Sequence, residues 1–143
     1  MATTFTFYND GKKDILNNAI DLINDTLKIS LHTSTYSPDI DADSAYSDLS
    51  NELAASGNYT TGGETVAGNT IAADDTNDRA YFDCTDQTWT ALTPSSPFRY
   101  GVLRSSTGNE LIGYFDFGAN QDPGGSNFVI QMTAPGSGGV FYI

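Results

Sequence analysis

PFRYGVLRSSTGNELIGYFDFG, residues 97–118, decides the fold class of this chain. Phe98, Tyr100 and Val102 alternate with Arg99, Gly101 and Leu103. Leu111, Gly113, Phe115 and Phe117 then alternate with Ile112, Tyr114 and Asp116. A period of two, rich in aromatic and β-branched residues, is the pattern of a strand packed on one face. Ser105-Ser106-Thr107-Gly108-Asn109 lies between the runs, and its Gly and Asn tolerate positive φ. The two runs are therefore predicted to fold back as an antiparallel hairpin. Large residues on both sides put that hairpin in the middle of a sheet.

The rest of the chain reads as short strands around it. On the C-terminal side, Gly118–Ser126 is a Gly-rich turn, Asn127–Thr133 a strand, Pro135–Gly139 a turn and Val140–Ile143 a last apolar strand. On the N-terminal side, Arg79–Cys84 and Thr88–Leu92 are short strands that give Tyr81, Phe82, Trp89 and Leu92 to the core. Phe82, Trp89, Tyr100, Val102, Leu111, Phe115 and Val129 are expected to be mostly buried in one sandwich. Glu64–Ala73 is a further strand, and Ala54–Gly63 a flexible loop around Tyr59. In Thr26–Ser34, Leu27, Ile29 and Leu31 point one way and Lys28, Ser30 and His32 the other, which predicts a half-buried strand.

Two helices are expected. Asn9-Asp10-Gly11 is a turn or cap, and Lys12–Asn24 carries an apolar stripe of Ile15, Leu16, Ala19, Ile20, Leu22 and Ile23. Both lysines fall in its first turn, the unfavourable end for a cation, so a partner or a nearby acid should engage them. Ala45, Tyr46, Leu49 and Leu53 form one face of a short second helix capped by Asp41 or Asp43. Ala2–Tyr8, a Thr/Phe alternation, is a short strand or an extended arm.

Roughly seven or eight strands at spacings near 10 residues argue for a sandwich or barrel. The fold class is mostly β: an antiparallel β-sandwich or barrel-like domain with an N-terminal amphipathic helix and one short helix. Residues 1–11 form an N-terminal arm and residues 12–143 a single β-rich domain. A chain of 143 residues makes one ordinary domain.

Charge and composition exclude several functions. The formal net charge is −12, from 18 acidic and 6 basic residues. Binding to nucleic acid or an anionic membrane draws on Lys and Arg, so neither partner is expected. The single cysteine, Cys84, rules out an internal disulfide framework and reads as a small buried hydrophobe. No basic, apolar leader opens the sequence, and synthesis in the cytoplasm without a signal peptide is expected.

The sequence carries no GxSxG, HExxH, CxxC or Walker motif, and its one His is far from its one Cys. No enzyme is expected, and no catalytic residue is assigned. Asp39, Asp41 and Asp43 resemble the opening of an EF-hand loop, but Ser44 stands at the Gly position and Ser50 at the final Glu position. Those acids are therefore either a helix start or a calcium site of another kind. Asp74, Asp75 and Asp78 offer a second acidic cluster.

LKISLHTSTYSPDIDADSAYSDLSNELAASGNYTTGGETVAGNTI, residues 27–71, together with the hairpin and the aromatic C-terminus, resembles a recurring pattern among small virion proteins of tailed bacteriophages. The match runs from about Lys12 to Phe117 and is closest in character to capsid decoration, or cement, proteins. The resemblance implies a non-enzymatic protein on the capsid surface of the virion, bound to the major capsid protein and stabilising the head by bridging subunits. It implies a homo-oligomer, a trimer at threefold or quasi-threefold positions. Phe5, Phe7, Tyr8, Lys12 and Lys13 combine aromatics with the only basic pair of the chain and are the expected capsid-binding residues. The alternative is a β-sandwich carbohydrate- or receptor-binding module of a phage tail or tail fibre, with Tyr36, Tyr46 and Tyr59 as contacts.

Overall fold

The computed structural model describes residues 3–143, so Met1 and Ala2 of the expected arm lie outside the described residues. The strands are β1 (Thr4–Phe7), β2 (Leu27–His32), β3 (Glu64–Thr65), β4 (Thr70–Asp74), β5 (Arg79–Asp83), β6 (Gln87–Trp89), β7 (Phe98–Ser105), β8 (Leu111–Gln121), β9 (Phe128–Ile130) and β10 (Phe141–Tyr142). The one α-helix among the described residues, α1, spans Asn9–Leu16. Single 3-10 turns occupy Tyr46–Asp48 and Pro135–Ser137.

A five-stranded antiparallel sheet has the order β1-β8-β7-β2-β3, so the β7–β8 hairpin is flanked on both sides. A three-stranded sheet, β10-β5-β4, and a two-stranded one, β6-β9, lie opposite it. Leu27, Ile29, Leu31, Leu103, Phe115 and Phe117 from the large sheet meet Phe82, Phe141, Trp89, Phe128 and Ile130 from the small ones. This is a β-sandwich-like core, but not every expected face points into it: Phe82, Trp89 and Phe115 do, whereas Tyr100 and Val129 are half-buried and β7 and β9 turn Leu103, Phe128 and Ile130 inward instead.

The sandwich has a further layer. Val102 and Leu111 do not join the main core; they form a second cluster with Tyr8 and Tyr36, against which Tyr100 and Tyr114 pack. The loop after β2 folds back over the outer face of the large sheet. Its backbone is pinned there by Thr33 N–H donating to Asn51 O (3.0 Å) and Leu53 N–H donating to Leu31 O (3.0 Å). Both faces of β2 are therefore covered, and Ser30 and His32 are buried rather than solvated.

The helices differ from expectation. α1 starts earlier, at Asn9, and ends at Leu16 instead of running to Asn24. Asn18 takes φ +60°, and the Asn17 carboxamide accepts the Ala19 N–H (3.0 Å). Asn competes for backbone bonds and tolerates the left-handed region, so the Asn-Asn pair stops the helix. Ile20 and Leu22 still reach the core from the turns that follow. Gly11 fixes the docking of α1, because a Cβ there would lie 2.4 Å from the Ile112 carbonyl oxygen of β8.

The second expected helix is only the Tyr46–Asp48 turn. The Asp48 carboxylate accepts the N–H groups of Ser44 and Ala45 (2.9 Å each), which closes a tight loop instead of starting a longer helix. The segment 54–63 is tied down as well, with Tyr59 buried. The strand expected over Glu64–Ala73 is broken into β3 and β4 by the residues between them.

Candidate interaction surface

The two chain ends meet on one side of the molecule. β1 pairs with β8 through Thr4↔Asp116, Phe5↔Phe115, Thr6↔Tyr114 and Phe7↔Gly113, at the edge of the large sheet. β10 pairs with β5 at the edge of the three-stranded sheet. Phe141 bridges the two edges: its ring centroid lies 5.4 Å from Phe5, 4.6 Å from Phe7 and 5.1 Å from Phe82. Both apolar termini, expected to pair with their own sheet or a neighbour's, pair within this chain.

Around this seam the surface is apolar. A groove of about 290 Å³ is lined by Phe7, Lys12, Ile15, Leu16, Tyr142 and Ile143. A second, of about 270 Å³, runs along the seam beside Phe5, Phe7, Val140 and Phe141. A third, of about 180 Å³, continues past Ile15 to Leu22, Ile71 and Ala80. Leu16 is 78% exposed, Ile143 72%, Tyr142 56% and Ile71 53%, so most of the large exposed apolar side chains among the described residues share this end. Large contiguous apolar patches of this kind mark interaction sites on soluble domains.

The expected capsid-binding residues divide. Phe5, Phe7 and Lys12 line the surface, with the Lys12 ammonium 5.9 Å from the Phe7 ring centre. Lys13 is exposed but pairs with Asp10 (2.6 Å) and Asp14 (3.6 Å), the nearby acids anticipated for the lysine pair. Those acids raise its pKa above the ordinary lysine value, through the Asp10 hydrogen bond first. Tyr8 is not on the surface. It is fully buried, and its hydroxyl is 2.7 Å from that of Tyr36. The parity of β1 explains the difference: Phe5 and Phe7 lie on one face, and Tyr8 leaves the strand to cover the other side of the sheet. Ile15, Leu16, Ile71, Tyr142 and Ile143 were not singled out for this surface from sequence. The signal available for them was an apolar C-terminus and a helix stripe too wide for an eight-residue helix.

The polar clusters of the outer layer are internal. The Tyr36 hydroxyl donates to Asp43 (2.7 Å), and burial pushes the Tyr36 and Tyr8 hydroxyls well above the ordinary tyrosine range. Tyr59 donates to Glu52 (2.7 Å) and accepts the Leu31 N–H (3.0 Å). Tyr46 also donates to Glu52 and lies under the Arg104 guanidinium, 3.9 Å from its ring centre; burial pushes its hydroxyl up to about 12. Of the three tyrosines considered for sugar binding, Tyr36 and Tyr59 are thus inside the fold.

His32 Nδ1 donates to the Ser50 carbonyl (2.8 Å), so Nε2 accepts from the Ser30 hydroxyl (2.9 Å). Burial lowers the His32 pKa, which keeps the imidazole neutral. A Ser–His contact of this kind resembles half of a nucleophilic site, but both residues have no exposed surface.

Asp39, Asp41 and Asp43 hold their own loop. Asp39 accepts the N–H groups of Asp41 (3.0 Å) and Ala42 (3.1 Å), Asp41 accepts from the Asn9 side chain (2.6 Å), and Asp43 accepts the Asp39 N–H (3.0 Å) as well as Tyr36. Among the described residues no three His, Cys, Asp or Glu side chains come together as a metal-binding group. In the second acidic cluster, Asp74 is bonded to Asn77 (2.8 Å) and Arg79 (3.0 Å), the Asn77 bond leading in holding its carboxyl below the usual carboxylate range. The chain matches no family model, no curated protein and no solved structure.

Proposed function

We propose that this protein is a non-enzymatic structural component of a bacteriophage virion, a decoration protein that binds the major capsid protein and stabilises the head by bridging its subunits. The observation that carries the reading is the apolar end made by β1, α1 and β10 on a chain of net charge −12. Two proteins that carry like charge repel over most of their surfaces. Here the apolar side chains and Lys12 form a large face suited to close approach. Leu16, Tyr142 and Ile143 supply area to bury, and Lys12 supplies a cation for an acidic group at the rim of the partner. Many copies, each spanning a seam between subunits, sum weak contacts into avidity. The motif order from Lys12 to Phe117 supports the same assignment.

The test is co-sedimentation with expanded phage heads. The wild-type protein is expected to sediment with the heads, and a Leu16→Asp/Tyr142→Asp variant to remain in the supernatant with native circular dichroism and a melting temperature lowered by only a few degrees. Failure of the wild type to bind heads would overturn the proposal. Binding by the double variant at full occupancy would remove the apolar end as its anchor.

A further inference from the structure

β4 is the outer strand of the three-stranded sheet, and the bonds on the far side of β5 fix which of its backbone groups are free. Ala80 N–H donates to Ile143 O (3.0 Å), Ile143 N–H to Ala80 O (2.9 Å) and Val140 N–H to Phe82 O (2.8 Å). Ala80 and Phe82 thus direct their backbone groups at β10. Arg79, Tyr81 and Asp83 direct theirs at β4, where their partners are Asp74, Ala72 and Thr70. Backbone groups alternate sides along an antiparallel strand. The N–H and C=O of Ile71 and Ala73 therefore point away from the sheet, and both residues are exposed.

Natural edge strands are blunted by Lys, Pro, a bulge or a covering segment. β4, Thr-Ile-Ala-Ala-Asp, contains neither Lys nor Pro, and its ladder with β5 runs without a bulge. Its only charge, Asp74, is at the end of the strand and already bound by Arg79 and Asn77.

We propose that β4 is a self-complementary interface, pairing antiparallel with β4 of a second copy about a twofold axis at Ala72. Only residues of like parity face each other across such an axis, because opposed side chains share a face. Of those registers, the one that opposes Ile71 and the partner's Ala73 pairs all five residues of both strands. In it, as in every like-parity register, outward groups meet outward groups. Ile71 and the partner's Ala73 exchange two hydrogen bonds, and the symmetric pair exchanges two more. Asp74 then faces the partner's Thr70, and the two aspartates are at opposite ends of the joint. Ile71 shares a face with Phe82 and lines the apolar groove with Ile15 and Leu22, so its side chain stands beside the joint at the edge of that groove. The product is one six-stranded sheet. It carries two apolar ends, which doubles the attachment points of one particle on any surface that binds them.

A joint of one strand per copy is small, so the dimer is weak in free solution and tightens as salt screens the two acidic chains. Sedimentation equilibrium of the full chain up to sub-millimolar concentration is expected to give a reversible rise from 15.3 kDa to twice that mass. Ala73→Pro removes an N–H that has no hydrogen-bond partner among the described residues and is expected to weaken the dimer about tenfold, with unchanged circular dichroism. A second variant tests the register without weakening the strand. In a Cys84→Ala background, Ala72→Cys is expected to form a covalent dimer under mild oxidation and Thr70→Cys to remain monomeric, since only position 72 meets itself. A monomer at every concentration overturns the proposal, as does a particle of three times 15.3 kDa that Ala73→Pro leaves intact. Equal cross-linking at positions 70 and 72 overturns the register.

Discussion

Adjacent residues of β10 are expected to behave in opposite ways. Phe141 is 7% exposed, and its ring meets Phe5, Phe7 and Phe82 with centroid distances of 5.4, 4.6 and 5.1 Å. Truncation to alanine loses the transfer energy of the ring and leaves a cavity between two sheet edges that share no backbone hydrogen bonds. Phe→Ala in a core costs about 3–5 kcal/mol. Three aromatic partners place this site toward the upper half of that range, since each ring pair adds about 0.5–1.5 kcal/mol before non-additivity. Tyr142 is 56% exposed and stacks on the Arg79 guanidinium, 4.7 Å from its ring centre. Its truncation should cost about 1 kcal/mol or less, the scale of an exposed cation–π contact. Urea denaturation followed by tryptophan fluorescence measures both, with Trp89 as the single reporter. With a slope of about 2 kcal/mol per molar, Phe141→Ala should lower the midpoint by about 2 M and Tyr142→Ala by about 0.5 M at most. Equal shifts for the two variants, or a shift under about 0.5 M for Phe141→Ala, would refute the placement of Phe141 as the bridge between the sheets.

Two further outcomes follow from buried titratable groups. His32 has a folded pKa below its ordinary 6.5, with desolvation as the main cause, so the unfolded chain binds its proton first as pH falls. Stability from this group is complete above that value and declines as pH drops through it toward the lower folded pKa; thermal melts from pH 7.5 to 5 should show the decline, and His32→Gln should flatten it. Burial pushes the Cys84 thiol up to about 12, so the folded protein should resist a thiol-reactive dye at pH 8 and react with one equivalent once unfolded; rapid reaction of the folded chain would place Cys84 at the surface.

The parts of the fold that could be read from sequence were those in which one face decides the pattern. The β7–β8 hairpin forms where the alternation predicts it, and the inward residues Leu27, Ile29 and Leu31 of β2 follow a period of two and sit where that period puts them. The pattern is silent on a second layer. Lys28, Ser30 and His32 look like a wet face because they are polar, yet the loop carrying Tyr36, Ser50 and Glu52 covers Ser30 and His32; Ser50 accepts from His32, and His32 in turn bonds Ser30. Tyr59 looked like a loop residue because Gly, Asn and Thr surround it, and its contacts with Glu52 and with Leu31, which is distant in sequence, make it internal. Helix length failed at Asn17-Asn18, where a local side-chain bond outcompetes a stripe whose apolar residues are satisfied equally well by turns. The interaction surface was half legible. Phe5, Phe7 and Lys12 lie near one another in the chain, but Tyr142 and Ile143 join them only through the pairing of β10 with β5 and the packing of Phe141.

The pairing of β1 with β8 has a consequence for how the chain folds. A ribosome releases Thr4–Phe7 well before its ladder partners Gly113–Asp116. The large sheet joins strands from opposite ends of the sequence, so its contact order is high and its assembly slow compared with that of a helical domain of this size. Until β8 emerges, Phe5 and Phe7 have no strand to lie against and remain available to chaperones or to other nascent chains. The hairpin β7–β8 forms locally and is the natural template. β1 cannot dock before β8 is available, and its seam with Phe141 closes only once β10 has emerged as well.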